Sequence, residues 1–515
     1  MSCVHLDVRS RTLRTVPRTA LSLEGPAALP AGRTALAEGF AAIRAEHELP
    51  GQFPTAVLDE TGAVIRDLRS TGLDRVDGIA RDDRTDLPLI TLDPPGSMDL
   101  DQAMAIERRG TGFRVWYAIA DVAAFVRPGG ELDREAHRRV LTCYLPDGRV
   151  PLHPAELSEG AASLLPDQDR PAVLWCVDVD SHGAKVAVDV RRAVVRSRAK
   201  LDYPAMELAL AEGNAPEVID LLRVIGTILE ARQTARGGLL LDVPTQQVTP
   251  AEDGWRLAYA VERPIERWNA QISLLIGAAA ARIMLRGGVG VLRTLPEPSP
   301  VTLRRLRRAA RGLGVAWPDR RSYQQLISSL TPDDPHQAAL LWEATALLRG
   351  AGYTPFDGGR PAQTRHNALA TDYAHATAPL RRLIDRYTSA VCLALAAGQE
   401  VPDWARAALP ELPGEMERGE RVTKAVDRAC VDLAESVLLA DRIGEDFTGV
   451  VLDLNDRIDW DQNGKPDAGT VMLRDPAVIA RLDGHDLPQG TEVRVRLTKV
   501  DVQSRKVYFD WIDAE

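Results

Sequence analysis

Cysteine, aromatic side chains, excess positive charge and long apolar runs are all scarce in this chain, and each shortage argues against a class of function. Five cysteines among 515 residues (Cys3, Cys143, Cys176, Cys392 and Cys430) form no CxxC pair, so neither a disulfide framework nor a thiolate zinc site is expected. They read as reduced thiols of a cytoplasmic protein. The nine histidines show no HExxH spacing, and no Walker loop or GxSxG elbow occurs, which sets aside zinc proteases, P-loop hydrolases and α/β-hydrolases. Basic side chains number 63 against 73 acidic ones, a formal net charge of −10. That balance argues against a surface coated for duplex binding, yet leaves room for a channel lined by local arginines. The longest apolar run, 272–281, is interrupted by Ser273, ends at Arg282 and is too short to cross a bilayer. The N-terminus lacks the apolar core of a signal peptide. A soluble chain with no membrane partner is expected. With aromatics at 5%, each one beside a charged motif is informative.

What is present is ordinary globular composition, 45% hydrophobic and 26% charged, enough for two to four domains. Residues 1–80 are mixed, with an amphipathic helix expected over 33–48 from Leu36, Phe40 and Ile43, and a hairpin over 56–65. From 81 to 200 the chain reads mainly as strands, broken by a short charged helix at 132–139 and a turn at 142–148 that carries Tyr144. Helices dominate 205–440, most clearly 269–285, 302–313, 336–349 and 379–397. Five short strands (447–452, 469–473, 477–482, 492–497 and 506–511) close the sequence and fit an OB-like barrel. The fold class is α+β and multidomain.

The chemistry is organised around residues 87–104. An apolar run ends on Asp93, meets Pro94-Pro95-Gly96, and is followed by Asp99 and Asp101. Residues two apart in extended chain share a face. If the loop folds back, Asp93 joins them and three carboxylates crowd one volume. Such acids repel one another unless a cation lies between them. Mg²⁺ suits hard oxygen donors, and metal-assisted attack on a phosphodiester is the chemistry this best serves. The bland alternative is a solvated Asp-rich turn.

A second cluster, Thr377 to Tyr387, reads as a helix start at 377–379 followed by Arg381, Arg382, Asp385 and Arg386. Guanidinium groups near a helix start suit a phosphate; the ordinary alternative is an Arg381–Asp385 surface pair. Arg365 and His366 are weaker candidates for backbone contacts. The arginines at 304, 305, 307, 308 and 311 read as a solvated helix face.

Taken in order, these stretches resemble the RNB family, the catalytic domain of RNase II and RNase R. The acidic loop (Thr91-Leu92-Asp93, then Asp99-Leu100-Asp101-Gln102-Ala103), Ile119-Ala120-Asp121-Val122, Leu132-Asp133-Arg134-Glu135-Ala136, Tyr144-Leu145-Pro146, the 150–158 segment and Thr377-Ala378-Pro379-Leu380-Arg381-Arg382 match family motifs in order and spacing. The resemblance implies an RNB catalytic domain (mixed sheet plus helices) over 81–400, a helical connector over 401–444 and an OB-like barrel over 445–515, with 1–80 an accessory domain of unassigned type. It implies a Mg²⁺-dependent exoribonuclease, with Mn²⁺ as a substitute, that degrades single-stranded RNA from the 3′ end to 5′-nucleoside monophosphates. Asp93, Asp99 and Asp101 would hold metal, Arg381 the phosphate, and Tyr144 a stacked terminal base. Thr377, Arg382 and Asp385 would join the RNA contacts. Two departures stand out. Gln102 replaces the family's fourth aspartate, leaving an uncharged oxygen as the remaining metal donor. Trp268-Asn269-Ala270-Gln271 lacks the acidic pair of relatives, so Gln271 is expected to bond the ribose 2′-hydroxyl. A catalytically impaired RNA-binding protein and a phosphodiesterase for short nucleotides are the alternatives.

Overall fold

The computed structural model describes residues 30–454 and 468–512, apart from positions 77, 240, 242, 244, 252, 253, 261 and 474. The sequence carries an acidic insertion over 453–467 in its last barrel, and from 455 onward it lies outside the described residues. Its frame is a pair of closed five-stranded barrels separated by helices.

In the first barrel, Asp82–Asp93 pairs parallel with Lys185–Asp202 and antiparallel with Gln102–Arg109. Gly112–Ala120 and Asp169–Val179 complete the ring. The expected mixed sheet is therefore curled shut, which leaves it no unpaired edge. Alternation along the strands divides the side chains by size. Met104, Ile106, Val115, Tyr117, Trp175 and Val177 join the main core with the helices. Ala103, Ala105, Ala118 and Leu174 face the other way into a second cluster with the helix Thr55–Thr71.

That helix corrects the hairpin expected over 56–65. Val57, Thr61, Val64 and Leu68 bury one stripe, and the helical period of this stripe outweighs the Thr-Gly pair that suggested a turn. Its Glu60 accepts hydrogen bonds from the N–H groups of Glu131 and Leu132 at the start of the helix Glu131–Arg139. The helix expected over 33–48 is present as Pro30–Glu46, with Leu36, Phe40 and Ile43 fully buried. It packs against the 28-residue helix Leu412–Leu439, which runs from the first barrel region to the second.

The core helix Pro264–Gly287 is long and apolar enough to cross a membrane by composition, but 61% of its apolar window is buried inside the protein. Its small residues permit close approach: the Ala374 N–H donates to the Gly277 carbonyl at 3.1 Å. A Cβ at position 277 would fall 2.2 Å from the Tyr373 ring. The helix expected from 379 begins instead at Leu383 and ends at Ala396. The preceding residues bend because their backbone N–H groups are engaged elsewhere, as described below. The arginine-rich helix Pro300–Gly312 buries Leu306 and Ala310 and turns its arginines outward, as expected.

All five expected C-terminal strands are present, and they close in the order Asp446–Leu454, Ala468–Leu473, Ile479–Asp483, Lys506–Ile512 and Glu492–Asp501. This barrel is fastened to the long helix by Glu435, whose buried carboxylate accepts from the Ile479 N–H at 2.9 Å and from the Gln246 amide. Burial pushes the Glu435 carboxyl up to about 7. A carboxyl raised in the folded state favours folding when protonated, so its contribution is full below the unfolded value of 4.5 and is lost as pH climbs through about 7. Denaturant midpoints measured from pH 4.5 to 8 are expected to fall over this window, by an amount on the order of 3 kcal/mol at full ionisation. Glu435→Gln, which keeps the acceptor oxygen without the charge, flattens the profile.

Candidate active site

The site is built where the first barrel meets the segment ahead of the helix Leu383–Ala396. Asp93 is the last residue of its strand, and the Pro94-Pro95-Gly96 turn returns the chain so that Asp99 and Asp101 lie beside it, just before the strand Gln102–Arg109. Gly96 takes φ +79, a conformation that costs glycine nothing. Asp101 is 3% exposed. The Leu380 N–H donates to its Oδ1 at 2.7 Å, and the Arg381 Nε donates to its Oδ2 at 3.3 Å. Asp99 is held by two neighbours on one small hairpin, Arg149 at 2.7 Å and the Tyr144 hydroxyl at 3.3 Å. These two residues face each other across that hairpin's register.

The acids act on one another electrostatically. Burial and the Asp99 charge push the Asp93 carboxyl up to about 7, while Arg381 and Lys200 pull against them. Burial raises Asp101 to about 8, with Arg381 and the Leu380 N–H acting against it and Asp99 and Asp385 adding to it. Asp101 and Arg381 are in contact, and Asp93 and Asp99 lie within electrostatic reach of that pair.

The cage itself is less complete than expected. Among the described residues, no three His, Cys, Asp or Glu side chains form a ready-made metal site. Asp99 is instead paired with Arg149, and Asp101 with Arg381. The donor chemistry nevertheless fits a hard divalent cation. Buried carboxylates that raise one another are a cost that such a cation removes. Gln102 donates its amide to the Thr377 carbonyl, tying barrel to loop.

Other expected contacts require correction. Asp385 and Thr377 are both 0% exposed and cannot touch RNA. Asp385 accepts from both the Nε and Nη2 of Arg382, at 2.5 and 2.8 Å, and from the Ala378 N–H at 2.8 Å. This buried pair fixes the bend that delays the helix and presents the Leu380 N–H to Asp101. Arg382 is 5% exposed and serves the same brace. Gln271 donates to Gln233 at 2.9 Å between two helices, not toward the acids. Its neighbour Asn269 reaches the site instead, donating to the Leu92 carbonyl and to the Tyr203 hydroxyl at 3.0 Å. His366 is fully buried, which removes it as a backbone contact.

Sequence reasoning missed Asn269, Tyr203, Lys200, Tyr117 and Arg149. Lys200 lies in register with Thr91, two residues before Asp93. The hydroxyls of Tyr117 and Tyr203 are both raised, chiefly by burial and in part by the Asp93 charge. The signal that could have found Arg149 is its place opposite Tyr144 around the Pro-Asp-Gly turn.

A small barrel bearing clustered acids and an arginine, joined to an OB-type barrel, defines a nucleic-acid-processing class of protein. Comparison narrows the class. Residues 81–395 match the RNB domain, and residues 445–510 match the C-terminal S1 domain of RNase II-type exonucleases. The chain belongs to the RNB family, the exoribonucleases of RNase II type, whose nucleases are in general metal-dependent. It is 27% identical to Ribonuclease R of Aquifex aeolicus over 502 residues, covering 91% of this chain and 69% of that one. It is 26% identical to Ribonuclease R of Escherichia coli, covering 91% and 61%. In fold it resembles the apo form of Mycoplasma genitalium RNase R, with TM-score 0.80, 19% identity and coverage of 93% and 78%. It also resembles yeast Ssd1, a pseudonuclease, with TM-score 0.63, 15% identity and coverage of 81% and 53%.

The brace yields a test. Asp385→Ala leaves the Arg382 charge buried without its partner, a loss of about 3–5 kcal/mol. Urea unfolding is expected to register that loss.

Proposed function

We propose that this chain is a hydrolytic 3′-to-5′ exoribonuclease that takes single-stranded RNA, uses Mg²⁺ with Mn²⁺ as a substitute, and releases 5′-nucleoside monophosphates. The observation that carries the reading is the contact of Asp101 with Leu380 and Arg381, about 280 residues further along the chain, with Asp93 and Asp99 in electrostatic reach of it. RNase R of Mycoplasma genitalium, a structural neighbour, has been solved with ribose-methylated single-stranded RNA, which supports RNA as the substrate class.

In this reading Asp93, Asp99 and Asp101 would hold the cation, with the Gln102 oxygen as an uncharged fourth donor. The bound ion supplies a water of lowered pKa and Lewis-acid polarisation of the phosphate. Arg381 orients the scissile phosphate and offsets negative charge as it builds in the transition state. The Leu380 N–H keeps Asp101 aimed at the same point, and Arg382 with Asp385 keeps Leu380 there. Tyr144, its hydroxyl tethered to Asp99, offers its ring to the terminal base.

One observation favours a second reading, an RNA-binding protein without catalysis: Gln102 brings no charge and its amide is already committed to Thr377. A gel of 5′-labelled single-stranded RNA separates the two. Laddering from the 3′ end in Mg²⁺, abolished by EDTA and by Asp101→Asn, is the expected result. Intact RNA bound in every lane transfers the assignment to the binding protein. For Tyr144→Ala, KM for oligonucleotides of a few residues is expected to rise about tenfold, in line with one lost stacking contact. Long RNA loses less, and an equal loss on both removes the stacking role.

A further inference from the structure

Beside Arg381 a pocket opens between the Leu141–Tyr144 segment, the residues around His375 and the long helix; Tyr144, His375, Arg381 and Glu420 are among its lining side chains. Its floor is a chain of buried polar groups. Arg293, 2% exposed, contacts the Glu420 carboxylate at 2.8 and 3.1 Å. The Tyr353 hydroxyl lies 2.9 Å from Glu420 Oε1 and 2.8 Å from His375 Nδ1. His375 is 4% exposed, and its Nε2 is a buried atom without a hydrogen-bond partner.

The network fixes the protons. Glu420 is paired with Arg293, and Tyr353 donates its O–H to Glu420 Oε1. The Tyr353 oxygen then accepts, and only a His375 protonated at Nδ1 can donate to it. Burial and the nearby Arg382 and Arg293 charges push His375 well below its ordinary value, so the ring is neutral. Burial likewise raises Tyr353, keeping its proton in place. In that tautomer Nε2 is a bare acceptor, on a side chain that lines the pocket together with Arg293, Arg381, Arg382, Lys424 and Glu420. A buried unpaired acceptor is unfavourable unless a ligand supplies the donor.

We propose that His375 reads the ribose 2′-hydroxyl of the nucleotide seated beside Arg381, accepting its O–H at Nε2. A phosphate cannot satisfy this atom, because it brings only acceptors at neutral pH, and a deoxyribose has no hydroxyl there. The inference rests on the RNA-processing reading and deepens it: the residue expected to meet the 2′-hydroxyl, Gln271, is committed to Gln233. His375 takes over that discrimination of RNA from DNA.

The test is equilibrium binding, read by fluorescence anisotropy in EDTA so that no turnover is needed. The probes are 5′-fluorescein oligouridylates carrying a single 2′-fluoro substitution at one of the last three nucleotides, which removes the donor. In the wild-type chain one of these positions is expected to weaken binding about 3- to 10-fold, the size of one hydrogen bond. In His375→Phe that penalty falls to about one, while the all-ribose probe loses affinity by a similar factor. Tyr353→Phe, which releases the tautomer, gives the same collapse and serves if the first variant fails to fold. His375→Gln, with an amide oxygen as acceptor, restores part of the discrimination. A wild-type penalty of about one at all three positions, or a penalty unchanged in both His375→Phe and Tyr353→Phe, overturns the proposal. Intact RNA on the gel together with a His375-dependent penalty overturns the hydrolytic reading alone.

Discussion

Asp101 accepts two hydrogen bonds from residues 279 and 280 positions further along the chain. That carboxylate is where the first barrel and the helical half of the RNB domain are joined, and the geometry of the site follows from it. A buried acid facing Asp99 would be costly alone. Here the Leu380 N–H and the Arg381 guanidinium oppose the penalty, and the Gln102–Thr377 bond fastens the same two segments one residue away. The acid that shapes the candidate site is therefore also a structural rivet.

A second layer keeps that rivet aligned. Arg382 and Asp385 form a bidentate buried pair, and Asp385 also receives the Ala378 N–H. Leu383 donates back to the Val140 carbonyl, and Thr142 donates to the Arg381 carbonyl, so the loop carrying Arg381 is laced to the segment that leads into Tyr144. The charged motifs further back do similar duty. Asp121 pairs with Arg81 at 2.6 Å in the interior, and Asp133 pairs with Arg386. Several stretches that carry the family resemblance are thus braces, with few reacting groups among them.

The departure at position 102 shows how one substitution redistributes work. An aspartate there would add a fourth charge to a volume where Asp93 and Asp101 are already pushed up to about 7 and 8. Glutamine lowers that repulsion and supplies a donor for Thr377.

Much of this was legible in the linear chain because it depends on local pattern. The five C-terminal strands, the buried stripe of Leu36, Phe40 and Ile43, and the acids flanking a proline turn follow from periodicity and loop chemistry. The helix Thr55–Thr71 was misread because a Thr-Gly pair looks like a turn until its stripe has a barrel to cover. The late start at Leu383 was hidden because the N–H groups of Ala378, Leu380 and Leu383 go to Asp385, Asp101 and the Val140 carbonyl, two of them far away in sequence. Which polar residues meet was decided by tertiary structure alone: Gln271 against Gln233, Asn269 against Tyr203, and His375 against Tyr353. Side-chain identity sets what bond a residue can make, but the partner is chosen by packing between elements hundreds of residues apart, and no local pattern encodes that choice.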